Sequence, residues 1–165
     1  MTYLEIDSAI IAVTQKVCDE CKARLDAIPK ENTTERKAVQ IEYGMYNASS
    51  GISRPTEEVT RLILKRQRFF HNLMHKYPKA SAVYQSLDDE GKLCFIAALH
   101  SELYIREEWL GARIAELDAA KAAQDTKGVF ELSIKIGAIK NMYAAIEKWR
   151  TENNIFPQMF EDGWE

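Results

Sequence analysis

Hydrophobic positions recur along this chain at spacings of three and four, and the longest unbroken series lies near its end. Val129, Leu132, Ile136, Ile139, Tyr143 and Ile146 keep that period, the pattern of a helix that packs along its whole length against another helix. Upstream, Ile96, Leu103, Leu110 and Leu117 fall at heptad spacing with Leu99 on the same face. There the seam is half polar, because Arg106 and Arg113 take the alternate positions, while Ile105 and Trp109 open a second apolar face. A helix apolar on two faces is wedged between neighbours. Ala115, Ala119, Ala120, Ala122 and Ala123 leave room for close approach, and Asp125-Thr126-Lys127-Gly128 reads as the turn. The two arms predict a long antiparallel hairpin over residues 88–150.

The rest of the chain divides in the same way. Asp7 or Ser8 can cap a first helix with Ile6, Ile10, Val13, Val17, Cys21, Leu25 and Ile28 on one stripe, and Ile28-Pro29 ends it, since proline excludes helical geometry from the residue before it. Asn32 with Glu35 resembles a capping box for a second helix with the stripe Ala38, Ile41, Met45 and Ala48. Pro55, Glu57 and Glu58 suit the first turn of a third helix, where a missing N–H costs nothing and acids meet the positive dipole end. It runs to about Lys76, with Val59, Leu62, Phe69 or Phe70, Leu73 and Tyr77 inward and Arg66 interrupting the stripe. Lys79 to Leu87 forms a short fourth helix, and Asp88, or Ser86 with Asp89, caps the fifth. The expectation is an all-α fold, a single helical bundle of about six helices built on the hairpin over 88–150. The bundle domain spans residues 1–154, and an aromatic, acidic tail without helical period spans 155–165.

Composition sharpens this picture in a few places. The 7 Gly and 4 Pro among 165 residues sit mostly where helices would start or stop, which favours helices over a turn-rich β architecture. No run of 18 apolar residues occurs, so no membrane partner is expected. The first residues carry acid where a signal peptide carries base, and three cysteines are too few and odd in number for a disulfide framework. A cytoplasmic location is the resulting expectation. The net charge of −3 hides an uneven distribution. The segment 54–79 is +5, the segment 80–125 is −5, and the last fifteen residues hold four acids and no base. Such asymmetry steers a partner onto one face or lets neighbouring helices attract.

Four constellations could carry chemistry. Cys18 and Cys21 form a CxxC, and His71 and His75 an HxxxH, both metal-ligand spacings because residues three or four apart share a helix face. About fifty residues separate the pairs, against about twelve to fifteen in a zinc finger, and both lie within helices, where cysteines serve as small buried hydrophobes. Along 61–79, Lys65, Arg66, Arg68, Lys76 and Lys79 interleave with aromatics, which suits phosphate contact plus stacking. The acidic chain as a whole is unlike a dedicated nucleic-acid binder. Glu107-Glu108, Asp88-Asp89-Glu90 and Glu102 lack the Glu-x-x-His of a di-iron bundle, and no phosphate loop, nucleophile elbow or HExxH is present. No catalytic residue and no cofactor are therefore expected.

The fourth constellation is the surplus of aromatic and cationic groups on the polar arm and tail: Arg106, Trp109, Arg113, Phe156, Phe160 and Trp164. Aromatics and arginine dominate protein–protein hot spots because they bury much area for little lost entropy. The tail can equally fold back over the bundle. The reading is a non-catalytic intracellular helical interaction protein, an adaptor, regulator or inhibitor that binds another protein, as a monomer or a homodimer through the long helices. The alternative is a nucleic-acid-binding protein using the helix at 61–79, and a Cys₂His₂ zinc domain stands further back.

Overall fold

A computed structural model describes residues 1–50, 75, 77–104 and 109–156. Among these residues the chain forms six helices and no strand: α1 (Tyr3–Ala27), α2 (Thr33–Ser50), α3 (Pro78–Gln85), α4 (Asp89–Tyr104), α5 (Gly111–Ala122) and α6 (Thr126–Glu152). The fold is all-α, as the periodicity predicts. Except for His75, the helix expected from Pro55 to Lys76 lies outside the described residues, as do 105–108 within the expected first arm of the hairpin.

Local chemistry sets the helix ends. Thr2 Oγ1 accepts the Glu5 N–H at 3.3 Å and the Glu5 carboxylate accepts the Thr2 N–H at 2.7 Å. This capping box starts α1 several residues before the expected Asp7 or Ser8, because a threonine outside the apolar period satisfies the orphan amides first. Ile28 takes the extended conformation before Pro29, and Arg36 Nη1 donates to the carbonyls of Ile28 at 2.8 Å and Leu25 at 3.3 Å. Pro78 opens α3 in the first-turn position, and Asp88 Oδ1 accepts the Gly91 N–H at 2.7 Å to cap α4.

Two stripes are rotated from their expected lines. In α1 the buried positions are Tyr3, Ile6, Ile10, Thr14, Cys18 and Cys21, with Val13 and Val17 on one flank. Thr14 can enter the core because its hydroxyl donates to the Ile11 carbonyl at 2.9 Å, leaving no stranded donor. In α2 the buried residue is Tyr46, flanked by Val39 and Tyr43, whereas Ala48 is exposed. The tyrosine is innermost in place of the expected Ala38, Ile41, Met45 and Ala48 line because its hydroxyl reaches partners on two helices: it donates to Glu42 Oε1 at 2.8 Å and accepts from Asn141 Nδ2 at 3.4 Å.

Cross-helix contacts fix the directions. Arg36 meets Ile28, and Arg24 Nη2 meets Glu42 Oε1 at 2.6 Å, so α1 and α2 are antiparallel. Lys37 meets Glu131 at 3.4 Å and Tyr46 meets Asn141, so α2 and α6 are parallel, and α1 therefore runs antiparallel to α6. α4 packs on α1, and α3 on α4. α6 is the common neighbour, supplying Ala138, Ile139, Met142, Tyr143 and Ile146 to the core. Its expected seam is fully buried only from Ile139 onward, since Val129, Leu132 and Ile136 are half-buried.

Within the expected hairpin over 88–150 the described residues form α4, which packs on α1, and the α5–α6 pair; only the latter is seen as an antiparallel hairpin. α5 closes on a Schellman arrangement, with Asp125 N–H donating to Ala120 O at 2.9 Å and Gln124 N–H to Lys121 O at 3.1 Å, and Gln124 left-handed at φ 54°. The Asp125 carboxylate then accepts the Gly128 N–H at 2.9 Å and opens α6. One residue ends one helix and starts the next, so the turn is Ala123–Asp125, earlier in the chain than the expected Asp125–Gly128. At the other end of α5, Trp109 and Leu110 form a wider π turn. On the expected heptad line Leu110 is buried and Leu117 half-buried.

Candidate functional site

The π turn places Trp109 half-buried against the core and sets Arg113 one helical turn further on. Met45 and Ala48, near the end of α2, face these two residues across a groove of about 190 Å³. Arg113 Nη2 lies 2.8 Å from Glu116 Oε1 on its outer side. Its Nε is buried, with no hydrogen-bond partner among the described residues. The groove thus combines an indole, a flexible thioether and a methyl group with a guanidinium that keeps one inward N–H uncommitted. Met and Trp surfaces adapt to apolar side chains, and a buried donor without partner favours any oxygen that reaches it. The four residues offer recognition rather than bond-making, since they include no base and no nucleophile.

Two members of the sequence-derived set, Trp109 and Arg113, meet in this groove, and Met45 and Ala48 join them from a helix read only for its core stripe. Arg106, Phe160 and Trp164 lie outside the described residues. Phe156 is elsewhere: it packs edge-on to Phe95 with ring centroids 5.3 Å apart, and Phe95 meets Tyr84 in the same manner at 5.4 Å. Ile155 is buried beside it. At its first two residues, then, the segment expected as a separate tail is packed on the bundle, and Phe156 serves the core where partner contact was expected. Arg150 secures the join, donating to the carbonyls of Ile155 at 3.4 Å and of Phe156.

Cys18 and Cys21 are buried, and Cys21 Sγ donates to the Val39 carbonyl at 3.9 Å. Burial, reinforced by the Glu42 carboxylate, pushes the Cys21 thiol up to about 11, and burial with Asp19 raises Cys18. In both, burial disfavours the thiolate form that a metal ligand takes. His75 is exposed, His71 lies outside the described residues, and among the described residues no group of three His, Cys, Asp or Glu is placed to hold a metal. Of the basic set, Lys65, Arg66, Arg68 and Lys76 lie outside the described residues, and Lys79 is exposed on the first turn of α3.

A polar network ties the three central helices. Arg24, Glu42, Tyr46 and Asn141 connect α1, α2 and α6 side chain to side chain. Burial drives the Tyr46 hydroxyl well above the ordinary tyrosine range, and the hydrogen bond from Arg24 to Glu42 raises the guanidinium. Fixed in place by neighbouring helices and holding their protons, these groups set register. Neither Tyr46 nor Arg150 stands out in the sequence as a core residue. The available signal for Arg150 is its position four residues after Ile146, on the buried line of α6.

The fold and the groove define a class, an all-α bundle with an aromatic–arginine cleft at its edge. Comparison of the chain with protein-family models, with curated proteins and with solved structures finds no match.

Proposed function

We propose that this chain is a non-catalytic helical interaction module, an adaptor, regulator or inhibitor that takes a segment of another protein into the groove of Met45, Ala48, Trp109 and Arg113. The supporting observation is the uncommitted, buried Nε of Arg113 beside the half-buried Trp109 indole. A partner side chain that is apolar fills the cleft, and a neighbouring carbonyl or carboxylate completes the guanidinium. Arginine and tryptophan in one desolvated cleft are the residue types that carry most of the energy of protein interfaces. Three free cysteines, two of them buried thiols, suit a reducing compartment, so the cytoplasm is the proposed setting.

The test is co-purification of the tagged chain with quantification of stoichiometric partners, comparing the parent with Ala48→Arg and Arg113→Ala. Ala48 is exposed, so the added side chain obstructs the groove without entering the core. A partner retained by the parent and lost from both variants, with unchanged helical circular dichroism, supports the reading. A partner held equally by all three chains refutes the groove as its site.

A further inference from the structure

A wider trough of about 410 Å³ runs along another flank of the bundle, between α1 and α6, and shares no lining residue with the Trp109 groove. Its apolar floor is Val13 and Val17 from α1 and Ala145 and Trp149 from α6, all four half-buried. Its rims are Lys16 and Glu20 on one side and Lys148 and Glu152 on the other. The two walls carry the same spacing: an apolar residue, lysine three further on, an apolar residue next, and glutamate three beyond that. Because α1 and α6 are antiparallel and these equal spans face one another, a local two-fold relates the walls. Lys16 and Lys148 consequently fall at the middle of the trough, and Glu20 and Glu152 at its opposite ends.

The rim charges are available for exchange. Lys16 stands 3.9 Å from Glu20 and Lys148 3.8 Å from Glu152, and all four side chains are more than half exposed. Exposed i,i+4 pairs of this kind are weak because water screens them, so an incoming carboxylate displaces them readily. An eight-residue wall is about 12 Å long, enough for two turns of a docked helix whose i, i+3, i+4 side chains enter between the walls.

We infer that this trough docks an amphipathic helix of a partner protein, one whose inserted face is apolar, with acid at its middle and base one turn to either side. A second copy of this chain is the poorer occupant. Symmetric pairing through the centre of the trough sets Lys16 and Lys148 against lysines again, and like charges opposed across an interface disfavour it. Nucleic acid meets Glu20 and Glu152 at the two ends.

The experiment uses the full chain and two fluorescein-labelled synthetic helical peptides with the same leucine ridge. One carries central glutamates flanked by lysines, and the other has the charges exchanged. Fluorescence anisotropy at low salt is expected to favour the acid-centred peptide by on the order of tenfold, the sum of several exposed charge pairs. The double variant Lys16→Glu/Lys148→Glu, with unchanged circular dichroism, is expected to invert that preference, and Ala145→Arg to abolish binding of both peptides. Absence of binding by either peptide, or a preference that the double variant leaves in place, overturns the proposal. So does sedimentation showing a dimer of the parent chain that Ala145→Arg dissociates. None of these variants touches Trp109 or Arg113, so failure here leaves the proposed function to its own test.

Discussion

The guanidinium of Arg150, 1% exposed, donates to the carbonyls of Ile155 and Phe156 where the chain leaves α6. Removing it strands two carbonyls and opens a void in the core. Arg150→Ala is expected to cost about 3 kcal/mol, the range for taking away one member of a buried polar set, measured by urea denaturation. A loss below about 1 kcal/mol would show that water replaces the guanidinium at no penalty. Cys21 gives a second prediction at this scale. Its folded pKa is raised to about 11 from an ordinary 9.0, so the native state holds the proton longer than the unfolded chain. By linkage, stability from this thiol is fully present below about pH 9 and declines up to about pH 11. Tyr46, also raised, acts in the same direction at higher pH. Cys21→Ala is expected to lower stability at neutral pH and to flatten the decline between pH 9 and 11, read from denaturation midpoints across that window. An unchanged slope would place the alkaline sensitivity elsewhere. The buried thiols were legible in the sequence as small hydrophobes; the buried arginine was not, because charge normally argues for the surface.

At the scale of elements, the α5–α6 turn shows how few residues set a helix junction. Asp125 donates to α5 and caps α6, so Asp125→Ala is expected to destabilise by about 1 kcal/mol, the ordinary worth of an N-cap. Gln124 sits at φ 54°, a conformation that strains a residue with a Cβ. Gln124→Gly relieves it and is expected to stabilise by roughly 0.5 kcal/mol after the entropy of the more flexible unfolded chain is subtracted. Thermal melts of the two variants check both signs, and a destabilised Gln124→Gly would contradict the Schellman account. A Cβ at Gly128 would collide with the Asp125 carboxylate, so glycine is kept there by the cap and not by backbone angle. Helix ends marked by Pro29 and Asp88 were readable from sequence because each acts through its immediate neighbours. The wide turn at Trp109–Leu110 was not, because heptad counting assumes a constant number of residues per turn.

At the scale of the whole molecule, α6 is the shared partner of α1, α2, α4 and α5. Ile146, fully buried on it, is expected to cost about 3 kcal/mol on truncation to alanine, with loss of cooperative unfolding if α6 organises the bundle. A cost under about 1 kcal/mol would move the centre of the core elsewhere. No helix among the described residues is long and apolar enough to cross a membrane, in line with the absence of a long apolar run in the sequence. Of the candidate interaction residues, Trp109 and Arg113 share one cleft, while Phe156 is drawn onto Phe95.

Periodicity, proline positions and cap residues determined by themselves that the chain is all-α and near which residues most of the described helices stop. Those properties are local, decided within a turn or two of each residue. Only the tertiary structure decided which stripe of α1 and α2 is innermost, that Arg150 is buried, and that Met45 and Ala48 from α2 complete a groove with Trp109 and Arg113. Each of these depends on which distant side chain supplies the missing hydrogen bond or wall, and the spacing of residues along one helix carries no record of its neighbours.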